Sequence, residues 1–166
     1  AIAEGLAEQL KGDSDYKFIQ DLRAYCEKKV GKLTFPDAIL KRIMLANNQD
    51  KGEEFVDKNY EQSIKELTWH LIKEQLAQAH GIKVDDNDVR ESARQMARAQ
   101  FAQYGMNNVP DDYLNGYADE MLKKRENIDS FVEAALDRKL AATLKDVVKL
   151  NKKSVSLEEF NKLVNE

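Results

Sequence analysis

The chain has 166 residues, enough for one domain or one elongated domain with lobes. Its net charge of −4 gives no electrostatic reason to bind nucleic acid or an anionic membrane, and its single cysteine excludes an internal disulfide and fits a reducing compartment. Charged residues at 34% with only two prolines and seven glycines describe a loop-poor chain with a large surface for its volume, and no apolar run approaches the ~20 residues that span a bilayer.

No signal-peptide pattern stands at the start. Ala1 already lies in a helix-like pattern, so the chain reads as a fragment of a longer protein. Ile2, Leu6, Leu10, Phe18, Ile19, Leu22, Cys26 and Val30 recur at helical spacing through residues 1–30. Gly12-Asp13-Ser14-Asp15 is the weak point, either a break with a new N-cap or a solvated turn inside one helix, and the continuous helix is favoured. Pro36 suits the first position of the next helix, whose expected buried face is Ile39, Leu40, Ile43 and Met44. A polar connector then leads into the stretch from Gly52 to Gly81, which has no interior proline or glycine. About 28 helical residues span about 42 Å, long enough to serve as a spine or arm for other helices. Phe55 or Val56, Tyr60, Ile64, Leu67 and Leu71 form its expected apolar stripe, with Trp69, Ile72, Leu76 and Ala79 beside it. Gly81 supplies the left-handed cap.

Asp85 is the expected N-cap of a helix running to about Tyr104 and carrying Val89, Ala93, Met96, Ala97 and Phe101. Residues 105–109 read as a loop, and Pro110 starts a helix with Tyr113, Leu114, Tyr117, Met121 and Leu122. A second long helix is expected from about Ile128 to Leu150, followed by a link with room for one short strand. Ser156-Leu157-Glu158-Glu159 has the capping-box pattern, and Leu157, Phe160, Leu163 and Val164 anchor a final helix. The pattern as a whole predicts an all-α fold.

No catalytic or metal-binding motif stands out. Asp85-Asp86-Asn87-Asp88 lacks the acid and glycine that a calcium loop needs at its fifth and sixth positions, so it reads as a helix start. His70 and His80 are ten residues apart on one helix and face different sides. Cys26 reads as a structural thiol. These readings predict no catalytic residues, no metal and no cofactor. Met96, Phe101, Tyr104, Met106, Tyr113, Tyr117 and Met121 bracket one loop and its two helices. They either pack those helices together or form an adaptable apolar surface, to which methionine and tyrosine are both suited.

The chain also carries a resemblance in the order of its motifs. These are Phe35-Pro36-Asp37-Ala38-Ile39-Leu40, the segment HLIKEQLAQAHGIKVDDNDV at 70–89, Pro110-Asp111-Asp112-Tyr113-Leu114, and the close DRKLAATLKDVVKL with VSLEEFNKLVNE at 137–166. In these it resembles the C-terminal domain of trigger factor, the bacterial ribosome-associated chaperone, over essentially its whole length. The resemblance implies an elongated all-α domain over 1–166, with a linking helix at 1–33, a helical body with two arms forming a cradle at 36–150, and a C-terminal helix at 154–166. It implies ATP-independent binding of unfolded or nascent polypeptides in the cytoplasm. The family's ribosome-docking and prolyl isomerase domains have no counterpart in this sequence, so ribosome contact would come only through the missing N-terminal domain. By position the resemblance places Met96, Phe101, Tyr113, Leu114 and Tyr117 in an arm region that contacts client polypeptide, and Tyr104 and Met106 of the same stretch join them as candidate client-binding residues. Two other readings stand beside it, a structural oligomerisation module that pairs as a homodimer and a periplasmic SurA-like chaperone core.

Overall fold

The structure, a computed structural model, describes residues 2–106 and 108–165. Ala1, Asn107 and Glu166 lie outside the described residues, as do the side chains of Ile2 and Leu6 assigned above to the first apolar face. Seven helices and no strand occur among the described residues: α1 (Ile2–Val30), α2 (Asp37–Asn47), α3 (Gly52–Ala79), α4 (Asp86–Gln103), α5 (Asp111–Lys123), α6 (Arg125–Val147) and α7 (Leu157–Asn165). The fold class is all-α. Among the described residues no helix is long and apolar enough to cross a membrane.

The chain divides into two compact units, residues 20–76 and residues 1–19 with 77–166. The boundary falls within α1 and within α3. α1 runs without interruption through Gly12.

In the unit of residues 20–76, the end of α1 is held to α3 by one arginine. Arg23 Nη1 and Nη2 donate to Glu66 Oε2 and Oε1 at 3.1 and 3.0 Å, and its Nε donates to Glu27 Oε1 at 2.8 Å. The planar guanidinium matches a carboxylate in this two-pronged way. It holds the Glu66 carboxyl below the usual carboxylate range. The same guanidinium lies 5.9 Å from the ring centre of Trp69, which is buried. α2 is fixed to α3 by Lys41 on Asp57 at 2.7 Å and by the Tyr60 hydroxyl donating to Asp37 Oδ1 at 2.6 Å. Partial burial, reinforced by the Asp37 carboxylate, pushes the Tyr60 phenol up to about 12.

Two apolar faces differ from expectation. No residue of α2 is buried, and Ile39 and Ile43 are exposed. Helical period shows that a face is apolar, not that anything covers it. Val56, Trp69, Ile72 and Lys73 are the buried positions of α3 within this unit, whereas Leu71 points outward. The stripe thus steps round the helix in its second half, where several faces are apolar.

In the other unit, α4, α5 and α6 pack on one another. Ala93, Ala118 and Phe131 form the centre of that core, with Val89, Met121 and Leu122 against it. α3 ends in a Schellman motif, in which Ile82 N–H donates to Ala77 O at 2.8 Å and Gly81 takes φ +64°. α4 opens on a full capping box between Asp85 and Asp88. That start is clasped from α6, where Lys139 Nζ reaches Asp88 Oδ2 and the Lys83 carbonyl, and Arg138 reaches the Asp88 carbonyl at 3.1 Å. The Lys139 ammonium, with the Asp85 N–H, holds the Asp88 carboxyl below its usual range. Lys145 of α6 pairs with Asp15 of α1.

α6 begins three residues earlier than expected and ends three earlier. Lys124 alone separates it from α5, with an extended backbone of φ −85° and ψ 106°, and Val148 leaves the helix with ψ 152°. The segment between α6 and α7 contains no strand.

Candidate apolar contact surface

The candidate surface is the α4–α5 hairpin and is built in two layers. Its inward layer is small and closed. Ala93 and Ala97 on α4 and Leu114 and Ala118 on α5 lie at helical i, i+4 spacing and are essentially inaccessible. Alanine lets two helices approach closely. Leu114, expected on the contact surface, is 1% exposed and belongs to this inward layer.

Its outward layer carries the larger side chains. Tyr104 is 79% exposed, Tyr113 71%, Met106 48%, Met96 47% and Tyr117 43%. Phe101 is half-buried. Its ring centre lies 5.3 Å from that of Tyr117 at an interplanar angle of 58°, a tilted arrangement that aromatic pairs favour. The Tyr117 hydroxyl donates to Gln100 Oε1 at 3.0 Å, so α5 is tied to α4 on the side that faces water. Met96, Gln100 and Tyr104 follow at i, i+4, i+8 along α4, and Tyr113 and Tyr117 at i, i+4 along α5.

Local backbone chemistry places the remaining member. α4 ends in a second Schellman motif: Met106 N–H donates to Phe101 O at 3.0 Å and Gly105 N–H to Ala102 O at 2.9 Å, with Gly105 at φ +78°. A side chain there would strain the left-handed backbone, so glycine sets the turn that returns Met106 toward Phe101. Pro110 then opens α5 at φ −57°.

Ion pairs bracket the hairpin. Asp111, in the first turn of α5, accepts from Arg94 Nη2 at 2.6 Å and lies 3.8 Å from Arg98. Toward the other end, Arg90 donates twice to Asp119 Oδ1, at 2.5 and 3.0 Å. Sequence reading did not single out Gln100, Arg94 or Asp111. The signal for the ion pairs was present as arginines four residues apart on α4, facing an acid at the favourable end of α5.

The unit of residues 20–76 has its own apolar surface. Cys26, Val30, Leu33, Leu71, Ile72 and Leu76 line an open groove of about 320 Å³. Burial pushes the Cys26 thiol up, which keeps it protonated near neutral pH. Among the described residues no three histidine, cysteine or carboxylate side chains gather to hold a metal ion. The chemistry these surfaces offer is the exclusion of water from apolar groups, with tyrosine hydroxyls and arginine–carboxylate pairs at the rim.

No curated protein and no solved structure matches the chain. The family model of the trigger factor C-terminal domain matches residues 14–164. That span takes in every element described here apart from the first turns of α1 and the last residue of α7. The chain therefore belongs to the trigger factor C-terminal domain family, and is a chaperone domain of that type.

Proposed function

We propose that this domain binds unfolded or nascent polypeptides through dispersed apolar patches, without nucleotide or other cofactor, and so assists their folding in the cytoplasm. Contact with the ribosome belongs to a separate N-terminal domain. The observation that carries the reading is the outward layer of the α4–α5 hairpin. Met96, Tyr104, Met106, Tyr113 and Tyr117 are all exposed, while Ala93, Ala97, Leu114 and Ala118 beside them are buried between the helices. Large apolar side chains left exposed along one hairpin mark a contact surface. The Cys26–Leu71 groove supplies a second patch in the other unit.

The energetics suit transient holding. A patch that buries about 100–200 Å² of client yields about 2.5–5 kcal/mol at about 25 cal/mol per Å², before entropy losses. Several such patches acting on one chain give useful affinity while each releases quickly. A client held unfolded must leave before it folds.

The test is light scattering from a chemically denatured client diluted into buffer containing the chain and no nucleotide. Suppression of aggregation that rises with chain concentration is expected. Tyr113→Ser with Tyr117→Ser should weaken it with little loss of helicity by circular dichroism. Collapse of the helical signal would instead assign the tyrosines to packing.

One observation favours a second reading, self-association. Ile39 and Ile43 are exposed on α2, which buries none of its residues. A mass that stays dimeric on dilution, with no effect on client aggregation, would select it.

A further inference from the structure

The chain has four methionines, and the structure sorts them into two pairs. Met44 and Met121 are half-buried, Met121 against the Ala93–Ala118–Phe131 core. Met96 and Met106 are each about half exposed, and both lie in the outward layer of the α4–α5 hairpin. They flank the Tyr117–Gln100 tie between the two helices, Met96 one helical turn before Gln100 and Met106 held by its N–H on the Phe101 carbonyl. The thioethers open to a dissolved oxidant are thus two of the apolar groups that the client-binding reading uses.

We propose that Met96 and Met106 form a reversible oxidation site that lowers the affinity of the hairpin for unfolded polypeptide. The inference rests on the function proposed above. In the chemical step the thioether sulfur attacks one oxygen of hydrogen peroxide and the O–O bond breaks. A sulfoxide forms and water leaves, with sulfur oxidised by two electrons and the peroxide reduced. A methionine sulfoxide reductase returns the thioether by oxidising two thiols to a disulfide, releasing water. Each sulfoxide replaces a flexible apolar end with a strongly polar, hydrated one, so covering it with client no longer removes apolar surface from water. Neither residue completes the inward alanine layer, so the hairpin keeps its packing while its outer face becomes polar.

The experiment uses the 166-residue chain, with dithiothreitol after the peroxide to return Cys26 to a thiol, a treatment that leaves methionine sulfoxide in place. The probe is a fluorescently labelled, reduced and carboxymethylated protein that stays unfolded. The chain is treated with hydrogen peroxide, freed of it, checked by peptide mass spectrometry for sulfoxide at Met96 and Met106, and titrated with the probe. Oxidation should weaken binding about tenfold, the scale expected from losing two partly buried methionine contacts. Sulfoxide reductase should restore it. Met96→Leu with Met106→Leu should bind before and after peroxide alike, and circular dichroism should be unchanged throughout. Equal affinity at full oxidation of both residues overturns the inference and leaves the client-binding reading intact. An equal loss in the leucine variant also overturns it, because the sensitivity then belongs to Met44 or Met121. A chain that fails to bind the probe before any oxidation overturns the underlying reading as well.

Discussion

Tyr113 and Leu114 are neighbours in sequence, about 100° apart round α5, and one is exposed while the other is buried. Both were expected to touch client; Tyr113 is exposed and Leu114 is enclosed between the helices. The pattern held a clue: Leu114 and Ala118 repeat at one i, i+4 spacing and Tyr113 and Tyr117 at another. Which pair faces the core follows from Ala93 and Ala97 on α4, and that pairing of helices is long-range information no local period contains. Gly116, between them, is exposed and helical, and a Cβ added there meets nothing within 4 Å. Gly116→Ala should therefore stabilise the chain by about 0.5–1 kcal/mol, because alanine loses less backbone entropy in a helix. Urea denaturation followed by circular dichroism measures it, and a lower midpoint would contradict the open space seen here.

Helix ends closed by a side-chain cap or a glycine were the most legible elements, whereas the ends of α6, which lack a side-chain cap at the start, shifted by three residues. The Asp85 cap, the Gly81 terminus and the Ser156 capping box all appear as read, the last with Glu159 N–H donating to Ser156 Oγ at 3.3 Å and Ser156 N–H to Glu159 Oε2 at 3.1 Å. Caps are local hydrogen-bond problems solved by residues a few positions apart, so sequence suffices. Burial on α2 was not legible, since it depends on partners far along the chain. Two ties between elements carry predictions. Arg23→Lys keeps the charge but loses the fork to Glu66, and should cost about 1 kcal/mol in the unit of residues 20–76. Trp69, the only tryptophan, reports the change by fluorescence in urea. An unchanged midpoint would show that the fork adds nothing beyond charge. Asp88 behaves differently because its effect depends on pH. The Lys139 ammonium and the Asp85 N–H depress its carboxyl below the usual 3.8, so its contribution is present above that value and lost as pH falls through the lower folded pKa. Asp88→Asn should melt earlier than the parent at neutral pH, and the two melting temperatures should converge below pH 3.8. Curves separated by a constant gap would remove Asp88 from the acid response.

At the scale of the molecule, a net charge of −4 gives the chain, on the function proposed above, a long-range bias toward clients that apolar contact lacks. An unfolded client of positive charge should associate faster than a negative one in dilute buffer, and the difference should shrink as salt shortens the screening length from about 30 Å at 0.01 M to about 3 Å at 1 M. Stopped-flow fluorescence with two oppositely charged carboxymethylated clients measures this, and identical salt dependence for both would refute the bias. The all-α class and the family were legible because helical period and motif order are distributed along the whole chain. Which side chains of the α4–α5 hairpin are exposed was legible only in part, since exposure is a property of the assembled fold. The alanine layer beneath that surface has one more consequence. Enlarging Ala93, Ala97 or Ala118 forces the helices apart, at a cost of about 1–3 kcal/mol, while the outer positions meet no such limit. One hairpin thus holds a strict set of sites beside a permissive one, often at adjacent positions such as Met96 and Ala97 or Tyr117 and Ala118. If the proposed client binding holds, descendants of this sequence are free to change which polypeptides they favour through the permissive set, without renegotiating how the hairpin folds.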